Sequence, residues 1–317
     1  MSEPAPVSLI DTREDILVTA ENFVKRKFQA HDPSHDWHHV HRVRQLSLHL
    51  AASLSPSSDH DIDPLVLELG ALFHDLCDSK YLPPAPAGTG STTTSASAKT
   101  VLADFWASLE DASPPHLDTL LPNPARRTIE RIVDNVSWSK DNRRKAQRQE
   151  AQARGEDPRA LNAGEEAEQI DWEDSCREFW CISDADRLDA IGSIGILRCA
   201  AFSAVKMRPL HVPPANSEGN SRPPAEQGEG YNGSCIAHFH EKLLLIKGDR
   251  LRTQAARLEA ERRQTFMESF LNELDLEWLV GWQGEQMFRM KQDMADVESA
   301  TKALHLAAAA ESSVTSN

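Results

Sequence analysis

The chain has 317 residues, enough to bury a sizeable core, and 40% of them are apolar, as in globular proteins. A net charge of −15 argues against binding nucleic acid or an anionic membrane as the main activity, and no apolar run approaches the roughly 20 residues of a membrane span. The N-terminus lacks a basic region followed by an apolar one, so no secretory signal is expected, and five cysteines without a CxxC pair read as reduced thiols of a cytoplasmic or nuclear protein.

In chain order, residues 14–30 place Ile16, Leu17, Ala20, Phe23, Val24 and Phe28 at helical spacing. Pro33 and Ser34 break the chain, and a second helix turns Val40, Val43, Leu46, Leu50 and Leu54 toward the core. Asp63 as cap and Pro64 at the first helical position open a third helix, with Leu65, Leu69, Leu72, Phe73 and Leu76 on its buried face. Residues 83–98, rich in Pro, Ser and Thr, are expected as a flexible loop. Helical pattern resumes at 99–109 and at 124–139. The stretch 140–174 carries many charges and few large apolar residues, so it cannot build a core alone and reads as a solvated insertion, or a charged helix. A buried helical segment follows at 180–205, then a third loop at 208–233. Residues 236–279 suggest one or two packing helices, and the tail from 304 is expected to fray. The pattern is all-α, a single domain over 14–285 with three loop insertions and flexible termini at 1–13 and 304–317.

Two places on this scaffold put acids where apolar residues belong. His74 and Asp75 stand near the end of the third, apolar helix. Asp184, Asp186 and Asp189 open another apolar segment. Carboxylates are seldom buried without a partner, so both places ask for a cation or a hydrogen-bond network. One divalent cation held by two imidazoles and two carboxylates would answer both, and would leave positions open for water and substrate.

The segments S-H-D-W-x-H-x-x-R-V (34–43), L-F-H-D-L-x-D-x-K (72–80), N-V-S-W-S-K (135–140), D-A-D-R-L-D-A-I-G-x-I-G (184–195) and A-H-F-x-E-K-L-L (237–244) occur in this order. Together they resemble the HD-domain superfamily of metal-dependent phosphohydrolases, nearest to small bacterial and fungal members, some of them nucleotide pyrophosphohydrolases. The resemblance covers about 15–82, 99–140 and 176–285. It implies an HD-domain helical bundle and a single divalent metal (Mn, Co, Ni, Fe, Zn or Mg). The implied ligands are His39, His74, Asp75 and Asp184, with Asp186 as runner-up for the last. Asp75 would also help to position water. His35, Lys80 and Arg187 are candidates to hold phosphate oxygens, and Asp78 is a candidate general base or partner of Lys80. Arg187 also has acids of its own cluster, Asp184 and Asp189, as ion-pair partners. The implied substrate is a small phosphorylated metabolite, a nucleotide foremost. A di-iron oxygenase of the same superfamily would need further histidines between His74 and Asp184, where the sequence has only His116. A non-catalytic scaffold that kept the site is the other alternative.

Overall fold

The axis of the fold is the helix α3 (Pro64–Phe73), and its sequence explains both its ends. The Asp63 side chain accepts hydrogen bonds from the amides of Leu65 and Val66, and Pro64 fills the position where a missing amide proton costs nothing. Eight of its ten residues are buried, so it is apolar all round and must be surrounded. In the computed structural model it is enclosed by α1 (Arg13–Lys27), α2 (Trp37–Ser53), α7 (Asn123–Asn135) and α10 (Arg177–Asp189). The structure describes residues 10–55, 61–77, 97–112, 116–212 and 233–314, and among them every regular element is helical.

Close approach decides where α3 meets α10. A methyl group added at Gly70 would sit 2.7 Å from Ile182 Cδ1, so any larger residue would have to displace the end of that side chain. At the far end, Phe23, Phe73, Phe105 and Trp106 form an aromatic cluster with ring centroids 4.9–6.3 Å apart along its contacts. Phe105 and Trp106 belong to α5 (Ala103–Ala112), which follows the short α4 (Ala98–Val101). The apolar helix stops at Phe73. His74 to Cys77 continue as a tighter turn, with the amide of Leu76 reaching the carbonyl of Phe73 at 3.0 Å.

Of the two readings of 140–174, a solvated insertion or a charged helix, the structure takes the helical one. This segment forms α8 (Trp138–Ala153), a short 3₁₀ turn and α9 (Glu165–Ser175), and it is seated on the body through charge. Asp141, Glu166 and Glu173 are buried; Arg144 and Arg148 bridge to Glu166 and Glu173 at 2.6–3.2 Å, and Asp141 pairs with Arg187 of α10 at 3.0 Å. Arg131 lies over the Trp172 ring at 4.4 Å. The segment indeed has no apolar core of its own; paired charges replace it.

After α10, Gly192 adopts φ +75° and lets the chain turn sharply into α11 (Gly192–Val205). The expected helical stretch 236–279 divides into α12 (Cys235–Glu241), two 3₁₀ turns and α13 (Gln254–Val314). The last of these runs 61 residues, well past the point where fraying was expected. Of the expected loops, 83–96 and 213–232 lie outside the described residues. The five cysteines are free thiols. Among the described residues no single helix is long and apolar enough to cross a membrane.

Candidate metal centre and the cleft beside it

Three elements deliver the site. His39 sits in the first turn of α2, where the Asp36 side chain caps the helix by accepting the His39 amide at 3.0 Å. His74 and Asp75 stand in the turn after α3, and Asp186 stands on α10. His39 and His74 are buried, and their Nε2 atoms lie 3.1 Å apart. Asp186 Oδ1 is 3.7 Å from each of them. Asp75 Oδ2 is 3.4 Å from His39 Nε2 and 3.9 Å from His74 Nε2.

The outer nitrogens of the two rings set their tautomers. His74 Nδ1 lies 2.8 Å from the Ala71 carbonyl oxygen, which can only accept, so Nδ1 carries the proton. His39 Nδ1 lies 2.8 Å from Asp189 Oδ2 and donates to it in the same way. Both Nε2 atoms are therefore left with lone pairs that converge, with carboxylate oxygens beside them. Such a donor set repels itself and is satisfied by a shared cation. Among the described residues, His39, His74 and Asp186 can offer one metal-ligating atom each within 4.8 Å of one another. Asp75 and Asp186 keep 17% and 25% of their side chains exposed while the imidazoles keep none, so the cluster opens on the carboxylate side.

Electrostatics reflect the same convergence. Burial opposes the charge of Asp75, but His74, His39 and His35 outweigh it and hold the carboxyl well below the usual range. Burial and Arg198 both oppose a proton on His39, yet Asp189 and Asp75 raise it above the ordinary imidazole value.

In the sequence Asp189 stands out as a member of the acidic cluster and as a partner for Arg187, but its place behind His39 was missed. It accepts from Arg42 Nε at 2.7 Å and from Arg198 Nη1 at 3.0 Å in addition to His39. Arg198 also donates to the Ser34 carbonyl at 2.6 Å. Burial opposes the Asp189 charge, but His39 and Arg42 hold this carboxyl far below its ordinary value. The signal was present: Asp189 lies three residues beyond Asp186 on α10, and Arg42 three beyond His39 on α2, one turn in each case.

Among the described residues Asp186, the runner-up, groups with the two imidazoles, and Asp184 is bound elsewhere. Its carboxylate faces away from the imidazoles and is sealed by three donors: the amides of Arg252 and Thr253 and the Thr253 hydroxyl, at 2.7–3.0 Å. Burial nevertheless raises its pKa, with the Thr253 and Arg252 amides opposing. Arg187 is likewise turned away. It pairs at 3.0 Å with Asp141 on α8, donates at 2.9 Å to the Arg250 carbonyl, and comes only to 3.9 Å of Asp184. It is 4% exposed and ties three elements together, which excludes it from an open anion site. Asp78 and Lys80 lie outside the described residues.

His35 is placed as expected, next to the cluster. Its ring centre is 5.9 Å from that of His39, and Ser34 Oγ lies 2.7 Å from its Nδ1. His35 and Arg198 also line a cleft of about 250 Å³ between α11 and α12. Lys206, Arg208, His238 and Lys242 complete its basic lining, which the sequence reading did not foresee. Lys206 and Arg208 both return over the Phe202 ring, at 5.6 and 5.2 Å, because Met207 between them takes φ +53°. A chain of net charge −15 thus still places four Lys and Arg side chains in one cleft beside its candidate metal ligands.

No family model matches the chain. Over 248 residues it is 26% identical to the uncharacterized protein YpgQ of Bacillus subtilis, covering 76% of this chain and 83% of that one. A crystal structure of YpgQ aligns with TM-score 0.51 at 24% identity over 84% of this chain and 97% of the other. A second, of YpgQ in complex with ADP, aligns with TM-score 0.50 at 23% identity over the same shares. A Lactobacillus plantarum protein aligns with TM-score 0.52 at 22% identity, covering 86% and 100%. A Bacillus thuringiensis protein described as an HD-superfamily hydrolase aligns at 24% identity, covering 84% and 98%, with TM-score 0.49. The chain is an all-α protein that shares its fold with YpgQ and with the Lactobacillus plantarum protein. YpgQ is found by the sequence comparison and by the fold comparison alike.

Proposed function

We propose that the chain is a metal-dependent phosphohydrolase that cleaves a phosphate ester or anhydride of a nucleotide. The observation that carries this reading is the pair of converging Nε2 lone pairs, with the tautomer of each ring set from behind and two half-open carboxylates in front. His39, His74 and Asp186 would hold one divalent cation, and Asp75 would complete or flank its shell. A bound cation supplies a water of lowered pKa and offsets charge on phosphate oxygens.

The protein's own part follows from the geometry. Asp75, ionised and partly exposed, accepts a hydrogen bond from the attacking water and orients it. The basic cleft binds the leaving phosphate chain, with His35 at the junction between cleft and cluster. Asp189 holds His39 in the tautomer that leaves Nε2 free. That the YpgQ crystal contains ADP supports a nucleotide as the anion. The free thiols fit a reducing compartment such as the cytoplasm.

Phosphate and pyrophosphate release measured across a nucleotide panel with Mn, Co, Ni, Zn and Mg tests the reading. Turnover with at least one pair is expected, together with its loss by a factor of about 1,000 in Asp75→Ala. Release that persists in Asp75→Ala, or two irons per chain on metal analysis, would overturn it.

A further inference from the structure

The helix α13 has two apolar stripes, and the fold uses one. Ala256, Ala260 and Met267 are buried, and Phe270, Leu271 and Leu274 pack on the core. Two residues beyond Leu274, about 200° around the helix, a second stripe begins on the opposite face. From Leu276, alternating steps of four and three residues fall on Val280, Met287, Met290, Met294, Val297 and Leu304, with Gln283 and Thr301 as the polar members. Its seven apolar side chains are 56–72% exposed. A side-chain carbon added at Gly281 or Gly284 would meet nothing within 4 Å, so the helix has left the body here. Four heptads kept in one phase are the signature of a coiled-coil seam, and a solvated surface helix has no reason to keep that phase.

We propose that this stripe is one half of an antiparallel two-helix coiled coil whose other half is α13 of a second copy of the chain. Charge selects the arrangement. In a parallel pair the positions flanking the seam would set Asp293 against Glu298 of the partner subunit on both sides, like against like. In the antiparallel pair centred between Met294 and Val297, Lys291 comes level with the partner's Glu298, and the reverse, while Asp293 faces the partner's Ala300. Met294 then packs on the partner's Val297, Met290 on the partner's Thr301 and Met287 on the partner's Leu304. Unbranched methionines adapt well to such a seam. The exposed pair Glu285–Arg289, at 2.6 Å, lies on the face away from it and stays in solvent.

Sedimentation of the full chain at about 1–100 µM tests this. The expected species has twice the 35.2 kDa mass of one chain. Met294→Asp combined with Val297→Asp should raise the dissociation constant at least about 100-fold, whereas Phe288→Asp, exposed on the same helix but off the seam, should leave it unchanged. Lys291→Glu should weaken the dimer about tenfold, and adding Glu298→Lys should restore it. Far-UV circular dichroism confirms that each variant keeps its helix. A monomer at about 100 µM overturns the proposal and assigns the stripe to a different helix. A dimer that survives Met294→Asp with Val297→Asp, or a charge swap that fails to restore, overturns it as well.

Discussion

Two acids on one helix, Asp184 and Asp186, meet opposite fates. Asp184 is sealed: two amides and a hydroxyl saturate its oxygens, and it anchors the root of α13 at Thr253. Asp186 is open: its near neighbours are two imidazole nitrogens that present lone pairs. The difference lies in the supply of donors. A carboxylate surrounded by protons is satisfied by the protein, and one surrounded by acceptors needs a cation or an added proton on an imidazole. Burial alone does not separate these cases, and by burial Asp184 looks the stronger ligand candidate.

The comparison is broken or upheld first by metal affinity. Asp186→Asn should weaken Mn binding more than about 100-fold, as removal of a charged donor does, while Asp184→Asn should leave it within about threefold; isothermal calorimetry separates them. Asp184→Asn should instead cost about 1–3 kcal/mol in urea unfolding, since an amide cannot accept all three donors. Asp189→Asn tests the layer behind the metal: affinity should fall about 10–100-fold, because the His39 ring loses the carboxylate that orders it.

The smallest effect is pH, and its sign differs with and without metal. The folded pKa of His39 lies above the reference 6.5. In metal-free protein the stability this confers is fully present below 6.5 and is lost as pH rises through the folded value. Metal binding runs the other way, since a proton on His39 Nε2 occupies the donor, and affinity should fall about tenfold per pH unit below that value. Thermal unfolding with chelator and with Mn, from about pH 6 to pH 9, should therefore show slopes of opposite sign.

Much of this was legible beforehand. The apolar period of 64–73 and its Asp–Pro start specified α3, and the family resemblance named His39, His74 and Asp75, which the fold brings close together. Choosing between Asp184 and Asp186 was out of reach, because the choice depends on amides 68 residues away. The basic cleft was hidden for a similar reason: Lys206 and Lys242 are neighbours only after α12 folds back on α11. For 140–174 a charged helix was within reach, but composition counts charges and cannot see that they are paired.

The stacked indoles of Trp278 and Trp282, 6.2 Å apart on α13, stand where the helix parts from the body. At 1.5 Å per residue that helix is about 90 Å long, so the molecule is a rod rooted in a globule. Its hydrodynamic radius will exceed that of a sphere of equal mass, and its rotation about the rod axis will be the faster one. The two indoles ride at the joint, so the polarisation of their fluorescence carries the stiffness of that joint as an optical signal.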